Sequence, residues 1–351
     1  MRRRPSAIDH EPVPRPAWRA ARTGVGLLAV AIALCVASGP AGAANRTTQP
    51  REPFAPLSAG GPSCFGAAAR DPEKPCVNRK LNLTAIPTPY NAPLEPSAPC
   101  TPIERVAPSA CAFGPRASRS VSSIALIGDS HATAMRAAVA AVADAKHWHG
   151  VSITRNNCPF TFATTPGKGR CKGWAGSVRR WLKAHREVKQ IVVVANSGSG
   201  VVAEGGHTLR TTKINGYVDA WKSTPQSVRD IFVVRDAPHA ANDTAECVSG
   251  AIAKRRNPAL RCQRPREGAL APDEAAIAAE RTDSERVKLI DLSDFMCDDK
   301  RCFPVVGGAL VIKDIGHLTR TFSRTLGPFL GRAITRLQAA REAGEDALRP
   351  D

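Results

Sequence analysis

From Val121 onward the chain alternates short apolar runs with amphipathic stretches. Residues 122–127, 150–155, 190–195, 230–235 and 286–292 are mostly rich in Val, Ile and Leu. Apolar runs of that length fit strands buried on both faces. Between them, residues 131–146, 174–188, 209–223 and 273–281 read as helices. A last helix over 319–342 is expected to kink at Gly327-Pro328. Strands alternating with helices predict an α/β fold, a five-stranded parallel sheet covered by helices on both faces. Ligands bind such sheets beyond the carboxyl ends of the strands. Ser130, Asn196 and Asp236 fall there, after the first, third and fourth strands.

The pattern before Val121 is different. Residues 44–118 are rich in Pro, Ser and Ala and show no helical or strand period. Proline removes backbone donors and blocks regular elements, so this stretch reads as an extension. Residues 1–22 hold six arginines against Asp9 and Glu11, an apolar run spans about Gly24 to Ser38, and Ala41-Gly42-Ala43 follows. A basic start, an apolar run and a small-residue site make residues 1–43 a secretory signal peptide. The run is shorter than the roughly 20 residues of a comfortable span; an uncleaved signal anchor is the alternative. The expected organisation is a leader over 1–43, an extension over 44–118 and one domain over 119–345. The product would be extracytoplasmic, secreted or anchored by the N-terminal apolar segment.

Cysteine usage points the same way. Of eleven cysteines, Cys35 lies in the leader, and the other ten form five close couples: Cys64/Cys76, Cys100/Cys111, Cys158/Cys171, Cys247/Cys262 and Cys297/Cys302. Even number and local clustering read as five small disulfide loops in an oxidising compartment, two of them pinning the extension. Sequence alone leaves other pairings open. Metal binding is the rival reading, but C-x-x-C spacing is absent and the histidines are scattered, so no metal or cofactor is expected. Net charge is +18, or +14 without the leader's six arginines and two acids. A basic chain can bind nucleic acid. Aromatics are only 5%, which speaks against a stacking platform, and no nucleic-acid motif is present, so that partner is not expected.

Two motifs carry chemistry. Gly128-Asp129-Ser130-His131 follows the apolar run Ile124 to Ile127. A serine at a strand-to-helix turn is lifted from the sheet edge into a cleft, and the helix start offers free N–H groups to an oxyanion. Ser130 could equally serve as the helix cap. Asp314-Ile315-Gly316-His317 lies just before the last helix. An Asp three residues before a His can set its carboxylate beside the imidazole, which a serine nucleophile needs in its base. Other polar groups read more plainly. His147 and His149 fit a helix end, and Asp298 and Asp299 a solvated turn. His239, after the fourth strand, is a candidate substrate contact.

The stretches "IALIGDSHATAM", "NNCPF", "VVRDAPHAANDTAEC" and "DFMCDDKRC…VVGGALVIKDIGHLTR" resemble the SGNH (GDSL-like) hydrolase superfamily. The likeness is strongest to the extracytoplasmic SGNH domain associated with acyltransferase-3 proteins. It covers residues 121 to about 330. The resemblance implies a flavodoxin-like αβα sandwich, with Ser130 as nucleophile, His317 as base and Asp314 as its orienter. His131 would shape the turn rather than act as base. It further implies an oxyanion hole from Ser130, Asn196 and a glycine, for which Gly167, Gly169 and Gly173 are candidates in one loop. Gly316 and Thr319 replace polar residues and a serine that related domains often carry. The implied activity is that of an exported serine esterase or O-acyltransferase on acyl groups, chiefly acetyl, of cell-envelope glycans. Its partners would be an acylated cell-wall polysaccharide and an acyltransferase-3 membrane protein as acyl donor. The alternative is a non-catalytic envelope or glycan-binding module on the same fold.

Overall fold

The computed structural model describes residues 61–167 and 170–347. The leader, residues 44–60 and Gly169 lie outside them. Among the described residues, one sheet of seven strands runs through the domain, beside two small two-stranded pairings. Its strands are β1 (Thr101–Glu104), β2 (Ala110–Phe113), β3 (Ser122–Gly128), β4 (Trp148–Thr154), β5 (Val188–Val194), β6 (Asp230–Val234) and β7 (Val287–Ile290). The spatial order is β1-β2-β4-β3-β5-β6-β7. The five strands from β4 to β7 are mutually parallel, while β2 joins β4, and β1 joins β2, antiparallel.

The parallel part has the strand order of a flavodoxin-like doubly wound sheet, which reverses between β3 and β5. Alternate residues of each strand feed opposite faces. Ile124, Leu126, Val192, Val194 and Phe232 enter one core; Ala125, Ile127, Ile191, Val193 and Ile231 enter the other. Helices α1 (Ser130–Lys146) and α6 (Arg320–Ala347) cover the first face, and α2 (Arg170–Ala184), α3 (Leu209–Lys222) and α5 (Glu274–Arg281) the second. A further helix, α4 (Thr244–Ala253), joins a smaller cluster with Ala85, Ala92 and Leu310.

Three elements differ from the sequence expectation. The sheet has seven strands, not five, because β1 and β2 come from the Pro-rich stretch. They are short, lack a run of β-branched residues, and place Pro102 on an edge strand, where a missing N–H costs no ladder bond. Helix α2 starts and ends four residues earlier than expected, because Val188 belongs to β5. Helix α6 is the single last helix that the pattern predicts, with Pro328 inside it, but it ends at Ala347 rather than at 342. Gly327 lets it approach α1 closely: a Cβ there would stand 2.5 Å from the Ala141 Cβ and 3.1 Å from the Ala138 carbonyl.

Residues 61–118 are tied to the sheet domain at many points. Phe65 and Ala67 lie in the core beneath α6. Asp71 takes a two-pronged ion pair from Arg332, at 2.6 and 3.0 Å. Glu95, 2% exposed, caps α6 from 225 residues away. Its carboxylate accepts Arg320 N at 2.6 Å, Thr321 N at 3.1 Å and the Thr321 hydroxyl at 2.6 Å. The start of α6 lacks intrahelical acceptors for these amides. Glu95→Ala would leave them unpaired and is expected to lower folding free energy by about 1–3 kcal/mol, read from urea denaturation. Glu95→Gln, which keeps an acceptor, is expected to lose less.

The five cysteine couples are each joined as disulfides: Cys64–Cys76, Cys100–Cys111, Cys158–Cys171, Cys247–Cys262 and Cys297–Cys302. Five disulfides are the usage of an extracytoplasmic domain. Among the described residues no helix is long and apolar enough to cross a membrane.

Candidate active site

Strand β3 ends on Gly128, whose φ of 152° few side chains tolerate. Asp129 follows as the N-cap of α1: its Oδ1 accepts the His131 N–H at 2.9 Å. Its Oδ2 accepts the Asn196 N–H at 2.8 Å, joining the ends of β3 and β5. Capping therefore falls to Asp129, and Ser130 is the first helical residue with its hydroxyl free for another partner. Burial pushes the Asp129 carboxyl up from its ordinary range, against the pull of the Asn196 and His131 contacts.

That partner is His317. Its Nε2 lies 2.8 Å from the Ser130 Oγ, across 187 residues of sequence. Its Nδ1 lies 2.8 Å from the Asp314 Oδ2. The Asp314 Oδ1 accepts the N–H groups of Gly316 at 2.9 Å and His317 at 2.8 Å, so the turn locks its own carboxylate. Burial works against the Asp314 charge, but the His317 ring and these two amides outweigh it and hold the carboxyl well below its ordinary range. With Nδ1 donating to Asp314, the neutral ring leaves Nε2 to accept the serine proton. A hydroxyl, an imidazole and a carboxylate in this sequence are the arrangement that activates a serine toward acyl carbons.

Asn196 lies just past β5, on the same edge as Ser130. Its Oδ1 accepts the Gly198 N–H at 2.8 Å, which leaves the amide nitrogen as the donor end. Of the glycines considered for the same purpose, Gly167 has no neighbour within 4 Å of a built Cβ. Gly173 sits inside α2 rather than in a loop. His239 lines an apolar cavity with Pro238, Ala240, Phe303, Val311 and Ile312. Its ring centre is 6.1 Å from that of His131. The remaining candidates lie apart: His147 is the left-handed C-cap of α1, His149 faces the Pro115 carbonyl at 2.9 Å, and Asp298 accepts two amides of its own turn.

A second histidine–aspartate pair lies beneath the first. His131 Nδ1 is 2.6 Å from the Asp236 Oδ1, both residues being buried. Asp236 also accepts the Ser197 N–H at 2.8 Å and hydroxyl at 2.9 Å, and its own N–H donates to Asp273 at 2.8 Å. Sequence placed Asp236 on the functional edge but gave it no partner. The usable signal was its position just past β6, since residues past neighbouring parallel strands share one edge.

Burial opposes the charges of both partners. Burial is the largest single influence on each, but the hydrogen bond and charge attraction between them, with the His239 and Ser197 contacts to Asp236 and the nearby Asp129 and Asp314 charges, together outweigh it, lowering the Asp236 carboxyl well below its ordinary range and raising His131 above its own. His239, Asp129, Asp273, Asp314 and His317 also face this pair. A lowered carboxyl stabilises the fold above its unfolded pKa, and that stabilisation is lost as pH falls through the folded value. A raised histidine stabilises below its unfolded pKa and loses this as pH rises through the folded value. The stability gap between the native chain and Asp236→Asn is thus expected to be widest between about pH 4 and pH 6.5 and to narrow on either side. Urea denaturation from pH 3 to pH 8 checks this; a gap of constant size would contradict it.

A doubly wound α/β sheet with a contact chain from Ser130 through His317 to Asp314 where its strand order reverses fits one class, the ester and acyl-transfer domains. The chain belongs to one family in that class: residues 99–332 match the SGNH domain (fused to AT3 domains). Among solved structures it is similar to the lipopolysaccharide acetyltransferase periplasmic domain of Salmonella ser. Paratyphi A. That match is 16% identical, covers 61% of this chain and 83% of that chain, and has a TM-score of 0.47. No curated protein matches the chain.

Proposed function

We propose that this protein is an extracytoplasmic serine acyl-transfer enzyme acting on O-acyl groups, chiefly acetyl, of cell-envelope glycans. The observation that carries the reading is the continuous bond chain Ser130 Oγ–His317 Nε2, Nδ1–Asp314 Oδ2, with both links at 2.8 Å. Ser130 Oγ attacks the acyl carbonyl carbon while His317 Nε2 takes its proton. Asp314 holds the ring and stabilises the imidazolium. The oxyanion of the tetrahedral intermediate is held by the Ser130 N–H at the start of α1 and by the Asn196 amide nitrogen. As the intermediate collapses, the ester C–O bond breaks and the leaving alkoxide takes the proton from His317. An acyl-Ser130 remains. Water then releases the free acid, or a glycan hydroxyl accepts the acyl group, with His317 again as base.

Two features favour a large acceptor. His317 and Asp314 side chains are 31% and 43% exposed, which puts the base at the rim of an open surface. The +14 charge of the chain beyond its leader suits anionic wall polymers. His239, on the cavity wall, is the proposed contact to the acyl or sugar portion. An acyltransferase-3 membrane protein is the proposed acyl donor.

The test is hydrolysis of p-nitrophenyl acetate by the chain produced in an oxidising compartment, beside His317→Ala and Asn196→Ala. Turnover is expected in the native protein, with a fall of about 100- to 1000-fold in Asn196→Ala as one oxyanion donor is lost. Equal background rates in all three would instead favour the glycan-binding module.

A further inference from the structure

The base of the proposed reaction sits on a largely exposed turn. Asp314 and Ile315 are exposed, and His317 is half-buried. Within itself the turn is held by Asp314 Oδ1, which accepts the Gly316 and His317 amides, and by Lys313 N to the His317 carbonyl at 2.9 Å; to the rest of the fold its backbone is tied by Ala240 N to the Ile315 carbonyl at 2.8 Å. Yet attack requires the His317 ring to keep its place against Ser130, since a misplacement of about 1 Å can cost a hundredfold in rate.

What lies under the turn is the second pair. The His131 ring centre is 4.7 Å from that of His317, with the planes at 55°. Gly316 is buried against the same ring: a Cβ there would stand 3.0 Å from the His131 Cε1, 3.2 Å from its Nε2 and 3.5 Å from the His239 Cδ2. His131 is itself fixed at both ends. Its backbone N–H is held by Asp129 and its Nδ1 by Asp236. Asp236 is tied to Ser197 past β5, and its amide to Asp273, which caps α5 through Ala275 and Ala276. The ring is therefore anchored to the edge of the sheet, and its free edge meets the base-bearing turn.

Resting on the serine reading above, we infer that His131, clamped by Asp236, is a positioning residue that sets the height and tilt of the His317 ring through Gly316. A methyl at 316 would crowd the imidazole edge, so the His131 ring or the turn would have to give by a few tenths of an ångström. His131 does not touch the reacting atoms, so its removal lowers kcat and leaves KM for a small ester nearly unchanged.

The test is a double-mutant cycle on p-nitrophenyl acetate hydrolysis, with Ser130→Ala as control and melting curves for every variant. His131→Ala and Gly316→Ala each are expected to lower kcat about tenfold or more, with KM within about twofold. Removing the ring also removes what the new methyl would strike. The double variant is therefore expected to be no slower than His131→Ala alone. His131→Asn, which keeps a donor toward Asp236 but lacks the ring edge, is expected to remain slow while regaining stability. Additive losses in the cycle, or losses carried by KM and melting temperature instead of kcat, would overturn the inference and leave the serine reading intact. Native turnover that persists in Ser130→Ala would overturn both.

Discussion

Ser130→Ala is expected to lower ester turnover by about ten thousand-fold or more while leaving the fold almost untouched. The rate loss follows from the chemistry: no other hydroxyl in the described contacts is bonded to the His317 Nε2. What remains is the catalysis that oxyanion donors and substrate binding give to attack by water. The small structural effect follows from the division of labour at the turn. Asp129 caps α1 and bridges to Asn196, so the serine side chain carries no part of the cap. Folding free energy in urea is expected to stay within about 0.5 kcal/mol of the native value. A loss of activity with that stability retained assigns the effect to the nucleophile rather than to the fold.

Gly128→Ala is expected to have the largest effect on stability. The residue adopts a positive φ of 152°, and a Cβ built on it would lie 1.9 Å from the Val194 carbonyl oxygen and 2.9 Å from the Ala132 Cβ. The first neighbour is backbone of the adjacent parallel strand and cannot rotate away. Backbone strain and overpacking each cost about 1–3 kcal/mol, so about 2–6 kcal/mol is expected, read by urea denaturation. The molecules that do fold must move the β3–α1 turn away from β5, which carries Ser130 off the His317 Nε2. Turnover per folded molecule is therefore expected to fall as well. Gly128 is thus needed for the close approach of β3 and β5 that brings Ser130 and Asn196 to one edge.

The serine turn was legible in sequence because its parts are contiguous. An apolar run ending on Gly, then Asp and Ser, specifies strand, sharp turn and helix start within a few residues. The Asp314–His317 contact was legible for the same reason, being a three-residue reach within one turn. The parallel strands were legible because strands covered on both faces are uniformly apolar. What sequence hid depends on long-range pairing. Glu95 reaches α6 across 225 residues, and His131 meets Asp236 across 105. Neither partner carries a local signature, since a buried carboxylate looks like any exposed one until the fold supplies its donors. β1 and β2 were hidden because antiparallel edge pairing of four-residue strands needs no apolar run. Gly173 lies inside α2 because the helix begins earlier than the sequence pattern indicates, which takes it out of the expected loop.

The central claim is that Ser130 is the acylated nucleophile, and covalent trapping tests it most directly. The native chain would be treated with a fluorophosphonate, followed by intact-mass measurement and peptide mapping. One phosphonyl group on Ser130, formed far more slowly in His317→Ala and absent in Ser130→Ala, is the predicted result. An unlabelled native protein, or a label carried by another residue, would contradict the account.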